Sequence, residues 1–209
     1  MFVYKVLFTI LSYLVGAIPF GVLISSGIAK IDIRSRGSGN IGATNVAREL
    51  GLKWGVITLM LDILKGFIPV FLLQRFFYAH FDTGLLIVSL ATLLGHQFSP
   101  FLKFRGGKGV ATAFGVFIAI SPVSAVIALF IFIITVYISD FISLGSMIAA
   151  CSMPVILIFT VEPLYPVFAA LVMAGLIWFR HKDNIHRLVR GNERKWRNGR
   201  SGKKVKKTI

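Results

Sequence analysis

Seven apolar runs, near residues 6–25, 54–74, 84–98, 109–120, 122–139, 141–160 and 163–179, constrain this chain more than any other feature. A membrane-spanning helix needs roughly 20 apolar residues, within a range of about 17–25. Several runs fall short of that, so some helices are expected to be short or to borrow flanking residues. Residues 110–139 are ambiguous, because as one helix at ~1.5 Å per residue they would reach about 45 Å. Ser121-Pro122 lies inside this stretch, and proline is tolerated at a helix start, so the stretch divides there. A soluble domain of 209 residues does not need a 56% hydrophobic composition.

The cations set the number of spans and the orientation. Lys30, Arg34, Arg36, Arg48 and Lys53 lie in the first loop, and Lys103, Arg105 and Lys108 in the third. Twelve more follow Phe179, so these three regions hold twenty of the 23 lysines and arginines. Seven spans put all three on one side, whereas six would turn the tail outward against the positive-inside rule. The expected fold is therefore an all-α, polytopic integral membrane protein of about seven transmembrane helices, N-terminus out and C-terminus in. Residues 1–193 read as one membrane domain and 194–209 as a basic cytoplasmic tail. The first run is long for a signal-peptide core, and cleavage would upset the parity, so it reads as an uncleaved span. Cys151, the single cysteine, lies in an apolar run and reads as a packing residue.

Between the third and fourth runs stands Phe104-Arg105-Gly106-Gly107-Lys108-Gly109-Val110-Ala111-Thr112. Its glycines permit backbone geometry that a Cβ would block, and a helix-forming run follows. Free N–H groups at a helix start form an anion site, and Lys108 in the first turn makes sense beside an anion. A tight basic turn at the membrane surface fits equally well. The knot is not a nucleotide-binding P-loop, because Gly109 follows Lys108 and Leu102 replaces the first required glycine.

The first loop, Arg34 to Arg48, holds Gly37, Gly39 and Gly42 in a G-x-G-x-x-G pattern. A dinucleotide fingerprint needs a preceding strand, and a membrane span precedes this one. What remains is a loop dense in small polar groups, Ser38, Asn40, Thr44, Asn45 and Arg48, suited to a small polyhydroxy or phosphorylated molecule. Asp62 and Lys65, three residues apart in the second run, share a helix face. They are either an internal ion pair or part of a site, with Lys65 pointing into it. His96 stands at a membrane boundary just before the knot, in a structural or a site role. His80 belongs to an outer loop. No histidine or cysteine spacing fits a metal, and no nucleophile elbow is present. The tail, Lys195–Lys207, suits anionic headgroups better than nucleic acid.

Three segments on the same expected side carry a resemblance. They are Gly37-Ser38-Gly39-Asn40-Ile41-Gly42-Ala43-Thr44-Asn45, Gly95-His96 through Phe104 to Thr112, and Arg180-His181 through Asn184-Ile185 and Arg187-Leu188 to Gly191 and Glu193. Together with Asp62 and Lys65, they resemble the bacterial acyl-phosphate-dependent glycerol-3-phosphate acyltransferases, the PlsY family. Arg105 departs from a position where that family commonly has lysine, and the tail is longer than expected of the family.

The resemblance implies transfer of a fatty acyl group from acyl phosphate to the 1-position of glycerol 3-phosphate. The products would be lysophosphatidic acid and phosphate, in the first acylation of phospholipid synthesis at the cytoplasmic face of a bacterial inner membrane. By that resemblance Ser38, Arg48, Lys108, His181 and Asn184 bind or orient glycerol phosphate. Gly106, Gly107 and Gly109 cradle the donor phosphate with Lys108, while Gly37, Gly39, Asn40, Thr44, Asn45 and His96 are further binding positions. Glu193 pairs with a site arginine. The implied partners are glycerol 3-phosphate, long-chain acyl phosphate and the bilayer, with no cofactor, no nucleic acid, and a monomer sufficient. The His-x4-Asp motif of other glycerol-phosphate acyltransferases is absent, since Leu85, Phe101, His186 and Gly191 stand five after the four histidines. A transporter of a phosphorylated solute is the competing class, but no inverted repeat is visible. A lipid-binding assembly protein would explain the tail but not the glycine-rich loops.

Overall fold

The computed structural model describes residues 2–77, 83–160 and 164–197. His80 and the tail from residue 198 onward lie outside the described residues. The described chain is helical throughout, with α1 (Phe2–Ala17), α2 (Phe20–Ala29), α3 (Ala43–Leu50), α4 (Leu52–Phe77) and α5 (Thr83–Gln97) in the first half. The second half holds α6 (Val110–Ile120), α7 (Pro122–Ser139), α8 (Ile142–Thr160), α9 (Leu164–Arg180) and α10 (Lys182–Val189).

Every expected apolar run carries a helix. Five segments are long and apolar enough to cross a membrane: Val6–Ala29, Leu52–Phe76, Thr83–Leu102, Pro122–Ser139 and Ile142–Thr160. α9 and α10, bent by 61° at their junction, make a sixth when taken together. α6 is the short one, with 11 residues and a length of about 16 Å. The chain does divide at Ser121-Pro122. Ser121 caps α7 by accepting from the Ser124 N–H, and Pro122 takes the first helical position, where no N–H is needed.

Side-chain bonds fix which helix ends lie together. Ser124 and Thr160 are joined hydroxyl to hydroxyl at 2.6 Å, so the start of α7 meets the end of α8. At the other end of α8, Ser143 bonds Glu193 beyond α10. Short α6 therefore runs from the end holding Lys108 to the end holding Ser124. The loops around residues 30–51, 98–109 and 180–197 gather at one end of the bundle, where Arg48 reaches Arg194, and Lys108 reaches Asn184.

α4 packs most extensively on α6, and α1 on α5. Lipid is as apolar as leucine, so helices in a bilayer associate by close contact rather than by hydrophobic expulsion. Gly115 on α6 shows how, since a Cβ there would collide with the Ile63 carbonyl of α4. The core between helices holds Leu93, Val116, Phe117, Leu157 and Met173. Outer faces expose Ile133, Ile158, Phe159 and Leu171, a distribution that suits lipid rather than water. Cys151, expected to pack inside, is also exposed on this outer surface.

Pro19 breaks the first span into α1 and α2. The break leaves the Ile18 carbonyl without a helical partner, and the Lys65 ammonium donates to it at 2.8 Å. Lys65 also pairs with Asp62 at 2.7 Å, both side chains nearly fully buried. Of the two roles open to this pair, the geometry gives Lys65 the internal one: it caps a helix break.

Candidate active site

Asn45 organises the first loop. Its side chain is buried, and its Oδ1 accepts from the Ser38 N–H at 2.9 Å. Its Nδ2 donates to the carbonyls of Asn40 at 2.9 Å, Arg36 at 3.1 Å and Ile33 at 3.3 Å. Asn40 likewise turns its Oδ1 onto the Gly42 N–H at 2.8 Å, just ahead of α3. Gly37 and Gly39 take left-handed conformations to make the bend. Asn45, expected at the substrate, thus spends its amide on shaping the loop. Ser38, Thr44 and Arg48 line the cavity described below. Arg48 is half-buried, and its Nε has no partner among the described residues. Burial, and then the charge of Arg194, lowers its affinity for its proton.

The glycine knot differs from expectation in one respect. The N–H groups of Gly106 and Gly107 are not free, for they donate to the carbonyls of Gln97 and His96, each at 3.1 Å. Their own carbonyls accept from Arg180, by Nη2 at 2.5 Å to Gly106 and by Nε at 3.1 Å to Gly107. Bonds to a charged donor are worth about 1.5–3 kcal/mol each, so Arg180 pins the knot firmly. Gly107 has no alternative residue, because a Cβ would strike the His96 ring. These two glycines build the fold of the site rather than an open anion nest.

The open donors lie slightly later. Gly109 is the left-handed N-cap of α6 (φ 83°), and no side chain caps the helix. Its first-turn N–H groups and partial positive charge stay available to an anion. Lys108 precedes the helix rather than sitting in its first turn. Its carbonyl is held by Gln97 Nε2 at 2.9 Å, and its Nζ donates to Asn184 Oδ1 at 2.5 Å. Burial lowers the Lys108 pKa to about 8, and Glu193 pulls only partly the other way.

The α9–α10 corner supplies the third wall. His181 caps α10, and its Nδ1 lies 2.8 Å from the Ile177 carbonyl. An Nδ1–H donor there leaves Nε2 as an acceptor. Asn184 passes the bond from Lys108 onward, with Nδ2 to Glu193 Oε1 at 2.6 Å. Glu193 also accepts from Ser143 Oγ at 2.7 Å and from Arg187 Nε at 2.8 Å. Burial alone would raise the Glu193 pKa, but these three donors outweigh it and hold the carboxyl below its ordinary range. Glu193 does meet an arginine, Arg187, and it ties α8 to α10. Deeper in, His96 Nδ1 stands 3.8 Å from Asp62 Oδ1.

These residues surround a cavity of about 520 Å³. Ser38, Arg48, Lys108, His181, Asn184 and Arg194 form a cationic, polar mouth. Below them Phe114, Phe117, Phe132, Met153 and Met173 make the body apolar. In the sequence Arg187 belonged to the third resembling segment without a role of its own, and Arg194 counted only as basic charge after the last span. Ser143 carries no sequence signal at all.

A cavity with a cationic head and an apolar body fits an amphiphile bearing an anionic group. The family model for glycerol-3-phosphate acyltransferase matches residues 6–191. The chain belongs to this family. It is 43% identical to a glycerol-3-phosphate acyltransferase of Fusobacterium nucleatum, across 91% of this chain and 97% of that protein. A relative from Endomicrobium trichonymphae is 45% identical across 92% of this chain and 96% of its own length. The crystal structure of PlsY, an integral membrane glycerol 3-phosphate acyltransferase, in its glycerol 3-phosphate form superposes with a TM-score of 0.88 at 39% identity. That match covers 92% of this chain and 95% of PlsY. The lysophosphatidic acid form of PlsY gives a TM-score of 0.86 at 38% identity, with the same coverage. The chain is thus an all-helical integral membrane protein of the glycerol-3-phosphate acyltransferase family.

Proposed function

We propose that this protein transfers a fatty acyl group from acyl phosphate to the 1-position of glycerol 3-phosphate, releasing lysophosphatidic acid and inorganic phosphate. The observation that carries the reading is the two-part cavity. Its mouth gathers Arg48, Lys108 and the uncapped start of α6, enough positive potential for phosphate groups. Its apolar body lies among membrane-spanning helices, where a fatty chain belongs. Family membership supports the acceptor.

Acyl phosphate is a mixed anhydride, so its leaving group is already good. The protein mainly has to hold the acceptor hydroxyl against the carbonyl carbon and stabilise the charge that develops. The hydroxyl oxygen forms a bond to that carbon, the carbon–oxygen bond to phosphate breaks, and phosphate departs. We assign the proton of the hydroxyl to a phosphate oxygen of the donor. Lys108 and Arg48 grip phosphate, His181 and Asn184 orient the acceptor, and Ser38 lines its path. Thr44 and His96 border the site. Gly37, Gly39, Asn40 and Asn45 shape it, and Gly106, Gly107 and Gly109 aim Lys108 and the α6 N-terminus.

A site on the cytoplasmic face of a bacterial inner membrane is supported by the positive-inside rule, since twenty of the 23 lysines and arginines fall in the three sequence segments on the expected inner side. Exposed Phe101 and Phe104 beside Lys103 and Arg105 suit the bilayer interface there. The test supplies purified protein with palmitoyl phosphate and glycerol 3-phosphate, and follows phosphate release and lysophosphatidic acid. Turnover is expected with acyl phosphate and not with acyl-CoA. No turnover with acyl phosphate, or equal turnover with acyl-CoA, overturns the reading.

A further inference from the structure

Past α10 the chain does not leave the bundle. Gly191 takes a left-handed conformation (φ 69°) and turns it back over the cavity mouth. Glu193 is anchored first, by Ser143, Asn184 and Arg187. The far anchor is the turn between α7 and α8. There the Trp196 N–H donates to the Asp140 carbonyl at 2.8 Å, and the Arg197 N–H to Asp140 Oδ1 at 3.0 Å. Arg197 Nη2 also donates to the Tyr137 carbonyl at 2.8 Å, with the guanidinium over the Tyr137 ring. Residues 193–197 thus form a strap tied down at both ends. These residues lie beyond the family match, which stops at residue 191.

Arg194 sits in the middle of this strap and lines the cavity. One Nη2–H donates to the Gly37 carbonyl at 3.0 Å, next to Ser38. Its carbonyl lies 3.5 Å from Arg48 Nη2, so the two arginines are neighbours. The charges around the cavity do not balance. Asp62 is paired with Lys65, and Glu193 with Arg187. Arg48, Lys108 and Arg194 are left without a carboxylate of their own among the described residues. Like charges gathered at a mouth are unfavourable unless an anion joins them. A guanidinium has five N–H donors in a planar fork, and one bond to Gly37 leaves the rest for phosphate oxygens.

We propose that Arg194, carried by the strap, is a further phosphate-holding residue of this site, just past the stretch that the family model matches. The assignment rests on the reading of the site as one for two phosphate-bearing substrates. Arg197 acts through Arg194 as a positioning residue, by holding the far end of the strap.

The full-length protein tests this with Arg194→Gln, Arg194→Lys and Arg197→Ala. KM and kcat are measured for glycerol 3-phosphate and for palmitoyl phosphate separately, and glycerol 3-phosphate binding is measured by calorimetry without donor. Arg194→Gln is expected to raise KM for one substrate by about tenfold, the scale of a lost bond to a charged group, with kcat within about twofold. Arg194→Lys should recover most of this, and Arg197→Ala should move the same KM by less. The substrate whose KM moves is the one whose phosphate Arg194 holds. Unchanged KM for both substrates, or a fall in kcat alone, overturns the proposal. Lysine failing to restore a raised KM also overturns it, since a merely structural arginine would behave so. If the wild-type protein does not use acyl phosphate, the donor reading falls, and calorimetry still judges Arg194. Weaker glycerol 3-phosphate binding by Arg194→Gln then sustains the proposal, and unchanged binding overturns it.

Discussion

Lys108 Nζ and Asn184 Oδ1 lie 2.5 Å apart, though 76 residues separate them in the chain. This bond joins the glycine knot to the α9–α10 corner. It continues through Asn184 Nδ2 to Glu193, and from Glu193 to Ser143 and Arg187. The amide of Asn184 can do this because it offers an acceptor to the ammonium and a donor to the carboxylate. Lys108 is thereby aimed without direct contact with Glu193, so its charge is not neutralised at close range.

The pH dependence of activity follows from Lys108. Its pKa is lowered to about 8, so the free enzyme loses the charge that grips phosphate as pH rises through that value. With both substrates below saturation, kcat/KM should fall above about pH 8, because that ratio reports groups of the free enzyme. Lys108→Arg should remove this limb, since a guanidinium stays charged throughout the range. Stability moves in the opposite direction. The folded pKa lies below the ordinary lysine value of 10.5, so between the two values the unfolded chain binds more protons, and Lys108's contribution to stability rises with pH. Profiles of rate and melting temperature from pH 6 to 10 check both, and a flat kcat/KM would show that Lys108 keeps its charge across this range.

Asn45 is expected to matter for the shape of the loop. Asn45→Ala strips a partner from the Ser38 N–H and from three carbonyls. The Ile33 and Arg36 carbonyls keep backbone donors, but losing four bonds at once should still cost about 2–4 kcal/mol. Asn45→Asp keeps the acceptor for Ser38 but turns a carboxylate on the carbonyls, so it should be nearly as damaging. Thermal unfolding in detergent measures the loss. A melting temperature within a degree of the parent's for Asn45→Ala would contradict the staple.

The contrast between legible and illegible features is physical. Apolar runs and the parity of cations revealed the helices because hydropathy is a property of contiguous residues. Ser121-Pro122 was readable because proline changes the backbone locally. Asn45 was visible as a polar residue in a polar loop, but nothing in its spacing tells whether its amide faces a ligand or its own loop. Gly106 and Gly107 were read as open donors, and only the fold shows His96 and Gln97 taking their N–H groups. Arg194 looked like the first charge of a solvated tail, because linear charge density is blind to the reversal at Gly191.

The Asp62–Lys65 pair allows a sharper test of what is structure and what is chemistry. Both side chains are buried, and Lys65 also caps the Ile18 carbonyl at the break in the first span. Removing one partner leaves an uncompensated buried charge, which costs about 3–5 kcal/mol, whereas replacing both with apolar groups is often near neutral. Asp62→Leu and Lys65→Met should each destabilise by that amount, and the double variant should recover most of the loss. The remaining deficit should be about 1–3 kcal/mol, because the Ile18 carbonyl loses its bond from the ammonium and keeps only the one from the Phe20 N–H. Melting temperatures of the four proteins give the coupling directly. Additive losses would show that the pair is not the stabilising unit. Activity of the double variant separates the second question. His96 Nδ1 stands 3.8 Å from Asp62, so a double variant that is stable and keeps its rate confines the pair to the fold. A stable double variant with a large loss in kcat would instead place Asp62 behind His96 as an orienting group in the reaction.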